Sequence, residues 1–473
     1  MQSFVINLSL VLVWFLPSLS HAEWIELTPK KVLELIESRS TTYQDSLIRL
    51  KQAEADFYKK NSMYKWSTSF SSGYAQSKIE PVGTTNFLQS DRYRTDVSLS
   101  RSFLSGTLLG LTYANTSLDT KYDSLSTPSN RYNQNLITLS IEQRLFPYFF
   151  GSDNRALYSA TLNELKAQTL TALLSLKSLK VEALQLFWNA YIAQATLNEA
   201  RLMVERYDEL TKTVRRKNNF NYTGPGDLPQ ALIEYESRKQ TLRDNEIAMI
   251  SAMNALKNYL GLHESDSLRL IANNEAELPG EFKGDIKNLP LYRSQESRTQ
   301  AAKEAAEASA QATAPNINLI AKYSKGGLES DFNESLREMS NERKDEAYVG
   351  FSLTYVFDNE AARKDSQLKS STAQNEETKL ARRMDELKAQ IQEAYAKVYS
   401  GFENIRVSQN ILSLREKVVT ELTRTFNQGR TDISILIDAI NKQSTARIQI
   451  EKALADFQLR RMEYLNLIEN VEE

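Results

Sequence analysis

The sequence predicts a mainly α-helical fold with a smaller share of β-strands, in which short strands alternate with very long helices. Long stretches contain neither proline nor glycine, and their apolar residues recur at three- and four-residue steps, as on one face of a helix. Between these stretches, apolar and polar residues alternate, which is the pattern of a strand with two different faces. The order of elements occurs twice along the chain, which predicts two internal repeats.

The composition excludes several kinds of chemistry. The chain has 473 residues, a formal net charge of −2 and no cysteine, so disulfides, thiolate metal sites and cysteine nucleophiles are ruled out. Basic and acidic residues interleave along the chain, so we expect no nucleic-acid partner. His263 stands in a connector and reads as a solvated side chain. No paired-carboxylate or metal-binding pattern stands out, so we expect no catalytic site, no metal and no cofactor.

Residues 1–22 have the features of a secretory signal peptide. An apolar run from Val5 to Leu16 precedes Pro17, and Ser20-His21-Ala22 fits a small-residue cleavage site. An uncleaved anchor or a buried core segment would give a similar run. No later segment is apolar enough to form a transmembrane helix, so a membrane location would depend on strands.

The first predicted repeat covers residues 23–261. It opens with a helix that begins at Pro29, behind the capping residue Thr28, and runs to Tyr64. About four strands follow over 66–146. The repeat continues with a long helix over 152–219, a turn over 222–229 and a returning helix over 230–261.

The strands of this repeat carry one apolar and one polar face. From Tyr93 to Phe103 the odd positions are largely apolar and the even positions polar. Only a tight turn at Ser105-Gly106 joins the middle two strands, whereas the connectors over 78–91 and 118–131 are long and polar. Short turns on one side and long loops on the other are typical of outer-membrane barrels. A soluble sandwich or hairpin would produce the same alternation of side chains.

A connector over 262–290 leads to the second predicted repeat, residues 291–473. Its elements are a helix over 291–312, strands over 316–325 and 346–357 on either side of a polar loop, a long helix over 360–427, a turn over 428–432 and a closing helix over 433–470. The second strand alternates cleanly, with Val349, Phe351 and Leu353 on one face.

One chain of this kind cannot bury its own apolar surfaces. Thin apolar stripes on long antiparallel helices need neighbouring helices, as in a coiled coil or an α-helical barrel. About six strands are too few to enclose a channel, since single-chain barrels begin at about eight strands. We therefore expect a transmembrane β-barrel shared between protomers, and three copies would supply about eighteen strands around an aqueous lumen.

Four segments carry the most specific patterns. The run from Phe426 to Ala439 reads Phe-Asn-Gln-Gly-Arg-Thr-Asp-Ile-Ser-Ile-Leu-Ile-Asp-Ala, and Gly224-Pro-Gly-Asp-Leu-Pro229 occupies the equivalent place in the first repeat. The other two are the segment from Leu139 to Ala156 and the tripeptide Thr313-Ala-Pro315. Together with the duplicated order of elements, these segments resemble the TolC-like outer membrane efflux protein family over essentially the whole chain that follows residue 22.

The resemblance implies a homotrimer in the cell outer membrane, in contact with outer-membrane lipid, with helices that extend into the periplasm. It also implies two partners, a periplasmic adaptor (membrane fusion) protein and an inner-membrane transporter. The implied function is a channel that exports small molecules or proteins, as in efflux or type I secretion, with no choice between the two. A periplasmic coiled-coil protein with a structural or tethering role is an alternative, and a secreted enzyme is a third class.

The resemblance also suggests which side chains would line the channel entrance. Asp438 matches an inward-facing aspartate of the family, and Ile435 stands where a second aspartate is expected. Asp432, three residues nearer the turn, is the candidate to replace the missing carboxylate. From the residues alone, the helix dipole and solvation explain a carboxylate near a helix start better than a role at the entrance does.

Three further positions correspond to the part of the family's entrance that holds it closed. Phe426 matches a tyrosine and lacks its hydroxyl, Thr431 matches a constricting arginine, and Arg430 lies one residue away from that position. We therefore expect this entrance to be closed by different contacts.

The two turns are the predicted docking sites for the adaptor. Gly224, Gly226 and Gly429 most simply supply positive φ angles at tight turns, and Asp227 follows the first turn. Their role in adaptor docking is implied by the resemblance.

Overall fold

The computed structural model describes the chain from residue 25 to residue 469 with a few internal gaps. The described ranges are 25–79, 87–122, 130–220, 222, 224–263, 265–272, 276–341 and 344–469. The predicted signal peptide, residues 1–22, lies outside the described residues, as do parts of the predicted strand connectors and of the first turn.

The described residues form two compact units. The turn unit consists of the described residues within 1–45, 176–282 and 391–468. The strand unit consists of those within 46–175, 283–390 and 469–473. The two helices of 68 residues contribute residues to both units.

Eight α-helices are described. They are Pro29–Arg39 (α1), Thr41–Lys60 (α2), Ser152–Asn219 (α3), Asp227–Leu260 (α4), Pro290–Ser309 (α5), Phe332–Asn341 (α6), Glu360–Asn427 (α7) and Ile433–Ile468 (α8). Among the described helices, none combines the length and apolarity that a bilayer crossing requires.

The described strands form a pair and a larger sheet. They are Ile25–Leu27 (β1), Ser67–Ser77 (β2), Phe87–Ser102 (β3), Thr107–Tyr122 (β4), Asn130–Phe146 (β5), Leu268–Leu270 (β6), Asn316–Glu329 (β7) and Asp345–Thr354 (β8). β1 and β6 pair in parallel in the turn unit. The strand unit contains a six-stranded antiparallel sheet in the order β2-β3-β4-β5-β7-β8. The predicted combination of long helices and strands is confirmed.

An apolar core lies in the turn unit where α1, α3, α4 and the β1-β6 pair meet. Its fully buried members include Leu27, Ile36, Phe187, Leu256 and Leu260. Burial of large side chains of this kind stabilises by roughly 1.5–3 kcal/mol each. This core fixes the short first helix against the two long ones.

The predicted helix from Pro29 to Tyr64 is interrupted at Ser40, which has an extended backbone with φ −70° and ψ 123°. The end of α1 also packs closely against a residue that is far away in sequence. Gly261 ends α4 with φ 67°, and a Cβ on it would lie 2.8 Å from the carbonyl oxygen of Arg39. Because Ser40 is extended, α1 and α2 are separate helices.

A second difference lies between β7 and β8, where the sequence predicts a polar loop. The structure has the short helix α6 there, packed against β7 and β5.

Candidate functional site

The six-stranded sheet has one apolar and one polar face. On the apolar face, four neighbouring strands place these residues in one row: Leu99, Leu111, Leu139 and Tyr323. One residue further along each strand, the polar face has the row Ser98, Thr112, Thr138 and Ser324. The hydroxyl oxygens of Thr138 and Ser324 are 3.0 Å apart. Hydroxyls of neighbouring strands therefore satisfy one another on the polar face.

The apolar face is exposed at both ends of the sheet. Phe70 of β2 is 71% exposed, and Val349 and Phe351 of β8 are 72% and 71% exposed. β2 and β8 are also the two outer strands, and each has one neighbour in the sheet. Large exposed apolar side chains thus occur beside strand edges that have no partner among the described strands. Such a surface is normally covered by another molecule.

The second turn, between α7 and α8, is built around Gly429. This residue has φ 76°, and its N–H donates to the carbonyl of Phe426 at 3.0 Å. The N–H of Arg430 donates to the carbonyl of Thr425 at 3.0 Å. These are the two bonds of a Schellman motif, which ends a helix with a left-handed glycine. The prediction of a positive φ is confirmed at this glycine.

Asp432 acts as the cap of α8. Its Oδ1 accepts hydrogen bonds from the N–H of Ser434 at 2.8 Å and from the Ser434 hydroxyl at 2.5 Å. These bonds favour the ionised carboxylate and hold the pKa of Asp432 below its usual range. A local structural role therefore accounts for this charge, which the sequence suggested as an entrance residue.

Ile435 and Asp438 lie together on an exposed face of α8. Ile435 is 52% exposed, and the Asp438 side chain is 59% exposed. The Asp438 carboxylate pairs with Lys442 one turn further on, with the two atoms 2.7 Å apart. The intervening Leu436 and Ile437 are buried in the turn unit. α8 thus presents an isoleucine and a partly neutralised carboxylate away from its own core.

Phe426 is buried at the second turn. It is contacted there by Lys217, which lies near the end of α3 that leads into the first turn. Lys217 donates through its ammonium to the carbonyl of Phe426. The same nitrogen lies 4.3 Å from the centre of the Phe426 ring. Partial burial lowers the pKa of Lys217. Sequence reasoning missed Lys217, although it sits in the last turn of a helix, where basic side chains are favoured.

A buried tyrosine joins three helices behind this contact. Tyr207 of α3 is 1% exposed, and its hydroxyl donates to Asn441 Oδ1 of α8 at 2.8 Å. The guanidinium of Arg238 on α4 lies 5.5 Å from its ring centre. Burial raises the pKa of Tyr207, so the hydroxyl stays a hydrogen-bond donor. Tyr207 and Phe426 belong to one apolar cluster with Ile433 and Leu436.

The remaining residues predicted for the second turn have smaller roles. The hydroxyl of Thr431 donates to the Thr425 hydroxyl at 2.6 Å, which ties the turn to the end of α7. Arg430 is exposed. The structure therefore brings Phe426 and Thr431 into contacts that fix the turn, and leaves Arg430, Ile435 and Asp438 at the surface of the unit.

At the first turn, the prediction of positive φ is wrong for two glycines. Gly226 has φ −98° and ψ −10°, and Gly224 is not among the described residues with positive φ. Asp227 explains the turn instead. Its carboxylate accepts the N–H of Gly224 at 2.8 Å, and its own N–H donates to the Gly224 carbonyl at 3.2 Å. The side chain of Asp227 closes a turn that needs no left-handed residue.

No known protein family model matches the sequence, and no curated protein matches it. Solved structures do match. The outer membrane protein VceC from Vibrio cholerae has a TM-score of 0.66 at 11% identity, over 94% of this chain and 97% of that one. The CmeC outer membrane channel of Campylobacter jejuni has a TM-score of 0.66 at 13% identity, over 94% and 87%. The open state of the MtrE outer membrane channel of Neisseria gonorrhoeae has a TM-score of 0.63 at 12% identity, over 93% and 88%.

The chain has the fold of these channels. The expected mainly helical fold with strands is therefore confirmed, and the match extends over nearly the whole of each chain. At identities of 11–13%, the roles of individual side chains are argued from this chain's own contacts.

Proposed function

We propose that the protein is a subunit of a homotrimeric outer-membrane channel that exports small molecules or proteins. The observation that carries the proposal is the exposed apolar face of a six-stranded sheet in which, among the described residues, each of the two outer strands pairs with one neighbour. In water, such a surface would cost free energy and favour aggregation. In a bilayer, the same side chains would contact hydrocarbon. A water-soluble tethering protein would have no use for this face.

Closure between copies would remove both open edges. The sheet has an even number of antiparallel strands, so β8 of one copy can pair antiparallel with β2 of the next. Three copies would give about eighteen strands, in the range where a barrel encloses an aqueous lumen. The polar face, with its Ser98, Thr112 and Thr138 row, would then line that lumen.

Helices of the turn unit also carry apolar stripes that a second copy would cover. On α7, Val407, Ile411, Leu414 and Val418 are 48%, 46%, 60% and 44% exposed. Their steps of four, three and four residues place them on one helix face, as in a coiled coil. We assign this stripe to a contact between protomers in an α-helical barrel.

The two turns would form the periplasmic entrance of the channel and the docking site of the adaptor. In support, Lys217 and Phe426 join them into one structure, so a partner that moves one turn acts on the other. Asp438 and Ile435 would face the entrance. An inner-membrane transporter would supply the exported molecule through the adaptor.

Conductance of the purified full-length protein tests the proposal. In a planar bilayer, we expect discrete channel openings, and on a gel without boiling we expect a species about three times the chain mass. Absence of both openings and a trimer would contradict the proposal. Recovery of the native protein from the soluble periplasmic fraction would favour the tethering alternative.

A further inference from the structure

A cavity lies in the strand unit, where the end of β3 meets α2 and α3. Its volume is about 430 Å³. Two cationic side chains, Lys65 and Arg101, line it, and none of the described residues around it is acidic. Five of the lining residues are aromatic: Phe57, Tyr58, Tyr64, Phe103 and Tyr158. A cavity of this composition suits a ligand that has both an anionic group and an apolar part.

Within the described part of the chain, the two cations have no carboxylate partner. The Nε of Arg101 donates to the carbonyl of Tyr64 at 3.1 Å, which leaves the terminal amino groups of the guanidinium for another acceptor. Lys65 is exposed. Arg94 of the same strand is paired, by contrast, since its Nε lies 2.8 Å from a carboxylate oxygen of Asp96. The positive charge at the cavity is therefore available to an anion from outside the chain.

The cavity adjoins one end of the sheet's apolar face. Arg101 is the last residue of β3 on that face, in one row with Leu109 and Ile141. Its guanidinium carbon lies 5.7 Å from the ring centre of Trp66 and 4.8 Å from that of Phe103. Long cationic side chains beside aromatic rings are typical of the interface between hydrocarbon and water. When the apolar face contacts hydrocarbon, the cavity lies at the depth of the lipid head groups.

We propose that this cavity binds a membrane phospholipid, with Arg101 and Lys65 at its phosphate and the aromatic side chains against its glycerol and upper acyl chains. The proposal rests on the proposed function, which places the apolar face in a bilayer. A guanidinium presents paired N–H donors that match phosphate oxygens, and basic pockets near a membrane surface attract lipid head groups. A lipid is favoured over free phosphate because the cavity adjoins the apolar face and five aromatic side chains line it. A lipid held there would join the sheet to α2 and α3 at the membrane boundary.

Native mass spectrometry of the full-length protein in detergent counts bound lipid directly. Dioleoyl-phosphatidylglycerol is titrated against the native chain and against the double variant Arg101→Gln, Lys65→Gln. The matched control is Arg92→Gln, Lys51→Gln, which removes the same two kinds of charge from β3 and α2 at positions that do not line the cavity. Lys65→Gln alone is also measured, because it leaves the bond from Arg101 to the Tyr64 carbonyl intact. Dioleoylglycerol, which has the same acyl chains without a phosphate, and inorganic phosphate are the comparison probes.

We expect about one phosphatidylglycerol per chain on the native protein and on the control, about tenfold weaker binding to the double variant, and a smaller loss in Lys65→Gln. Equal binding to the native chain and both double variants would overturn the proposal.

The comparison probes separate the other sources of binding. Equal retention of dioleoylglycerol would show that the phosphate plays no part, and displacement of the lipid by millimolar inorganic phosphate would assign the cavity to free phosphate; either result would overturn the proposal. Trimers that open as channels but retain no lipid would overturn it and leave the channel proposal intact. Absence of both trimers and openings would contradict the channel proposal itself, and the lipid site with it.

Discussion

Replacement of Lys217 by methionine should loosen the second turn. Methionine retains an unbranched apolar stem but removes the ammonium, which donates to the Phe426 carbonyl and lies 4.3 Å from the Phe426 ring centre. A hydrogen bond from a charged donor contributes about 1.5–3 kcal/mol, and an exposed cation–π contact adds about 0.5–1 kcal/mol. The cost of partly burying the charge, which lowers the pKa of Lys217, offsets a share of this. We expect a net loss of about 1–2 kcal/mol.

Hydrogen exchange of the full-length protein in detergent measures this loss locally. The reporters are the amides of Gly429 and Arg430, whose bonds to the end of α7 form the turn. Since 1.4 kcal/mol is about a factor of ten in an opening equilibrium, these amides should exchange about tenfold faster in Lys217→Met. Lys212→Met is the matched control, because exposed Lys212 pairs with Asp208 on its own helix, and exposed pairs of this kind contribute little to stability. Equal exchange in both variants and the native chain would refute the role given to Lys217.

Three further predictions concern the turns and α8. Gly429→Ala should destabilise the protein by about 1 kcal/mol through backbone strain at φ 76°. Gly261→Ala should destabilise it more, because the new Cβ would also lie 2.8 Å from a backbone oxygen. Denaturant unfolding shows which variant loses more free energy of unfolding. Asp438→Asn should lower the cation selectivity of single channels and Lys442→Gln should raise it, because opposite charges 2.7 Å apart partly cancel. The pKa of the Asp432 carboxyl is lowered in the folded protein, so the ionised cap should stabilise the start of α8 above about pH 3.8. This stabilisation should be lost as the pH falls through the lower pKa of the folded state, and a spin label in the first helical turn of α8 should then become more mobile.

Each of these has a contrary outcome. Equal destabilisation by the two alanine variants would show that the contact at Gly261 relaxes freely. Unchanged selectivity in both charge variants would place Asp438 and Lys442 outside the conduction path. An acid transition of unchanged position in Asp432→Asn would assign the pH dependence to another carboxylate.

The long helices and their ends could be predicted from the sequence because proline and glycine are scarce inside these helices and occur near their ends. The sequence predicts helices over 152–219 and 360–427, and the structure has α3 at Ser152–Asn219 and α7 at Glu360–Asn427. Alternation likewise indicated the strands and their apolar face, since a strand's side chains point to opposite sides in turn. The trimer, the repeats and the adaptor remain proposals.

Features that depend on distant contacts could not be predicted. Helix α6 buries serine and glutamate, so its sequence reads as a polar loop. The end of α1 at Arg39 packs closely against Gly261, which is far away in sequence. Lys217 meets Phe426 only when α3 and α7 have folded together, and no local pattern pairs them. At the first turn, the glycines suggested a left-handed backbone. The turn is instead closed by the side chain of Asp227, which accepts the N–H of Gly224.

Disulfide cross-linking between β2 and β8 tests the central claim, closure of the sheet between copies. One cysteine at Ser72 is combined in turn with one at Val349, Phe351 or Leu353, in a chain that has no others. Within one sheet the two edges are about 24 Å apart, since strands are spaced by about 4.8 Å, and a disulfide needs Cα atoms within about 7 Å. For at least one pairing, oxidation in the membrane should give covalent dimers and trimers, with none from the single-cysteine chains. Uncross-linked chains at every pairing, or cross-links confined within one chain, would contradict closure between copies.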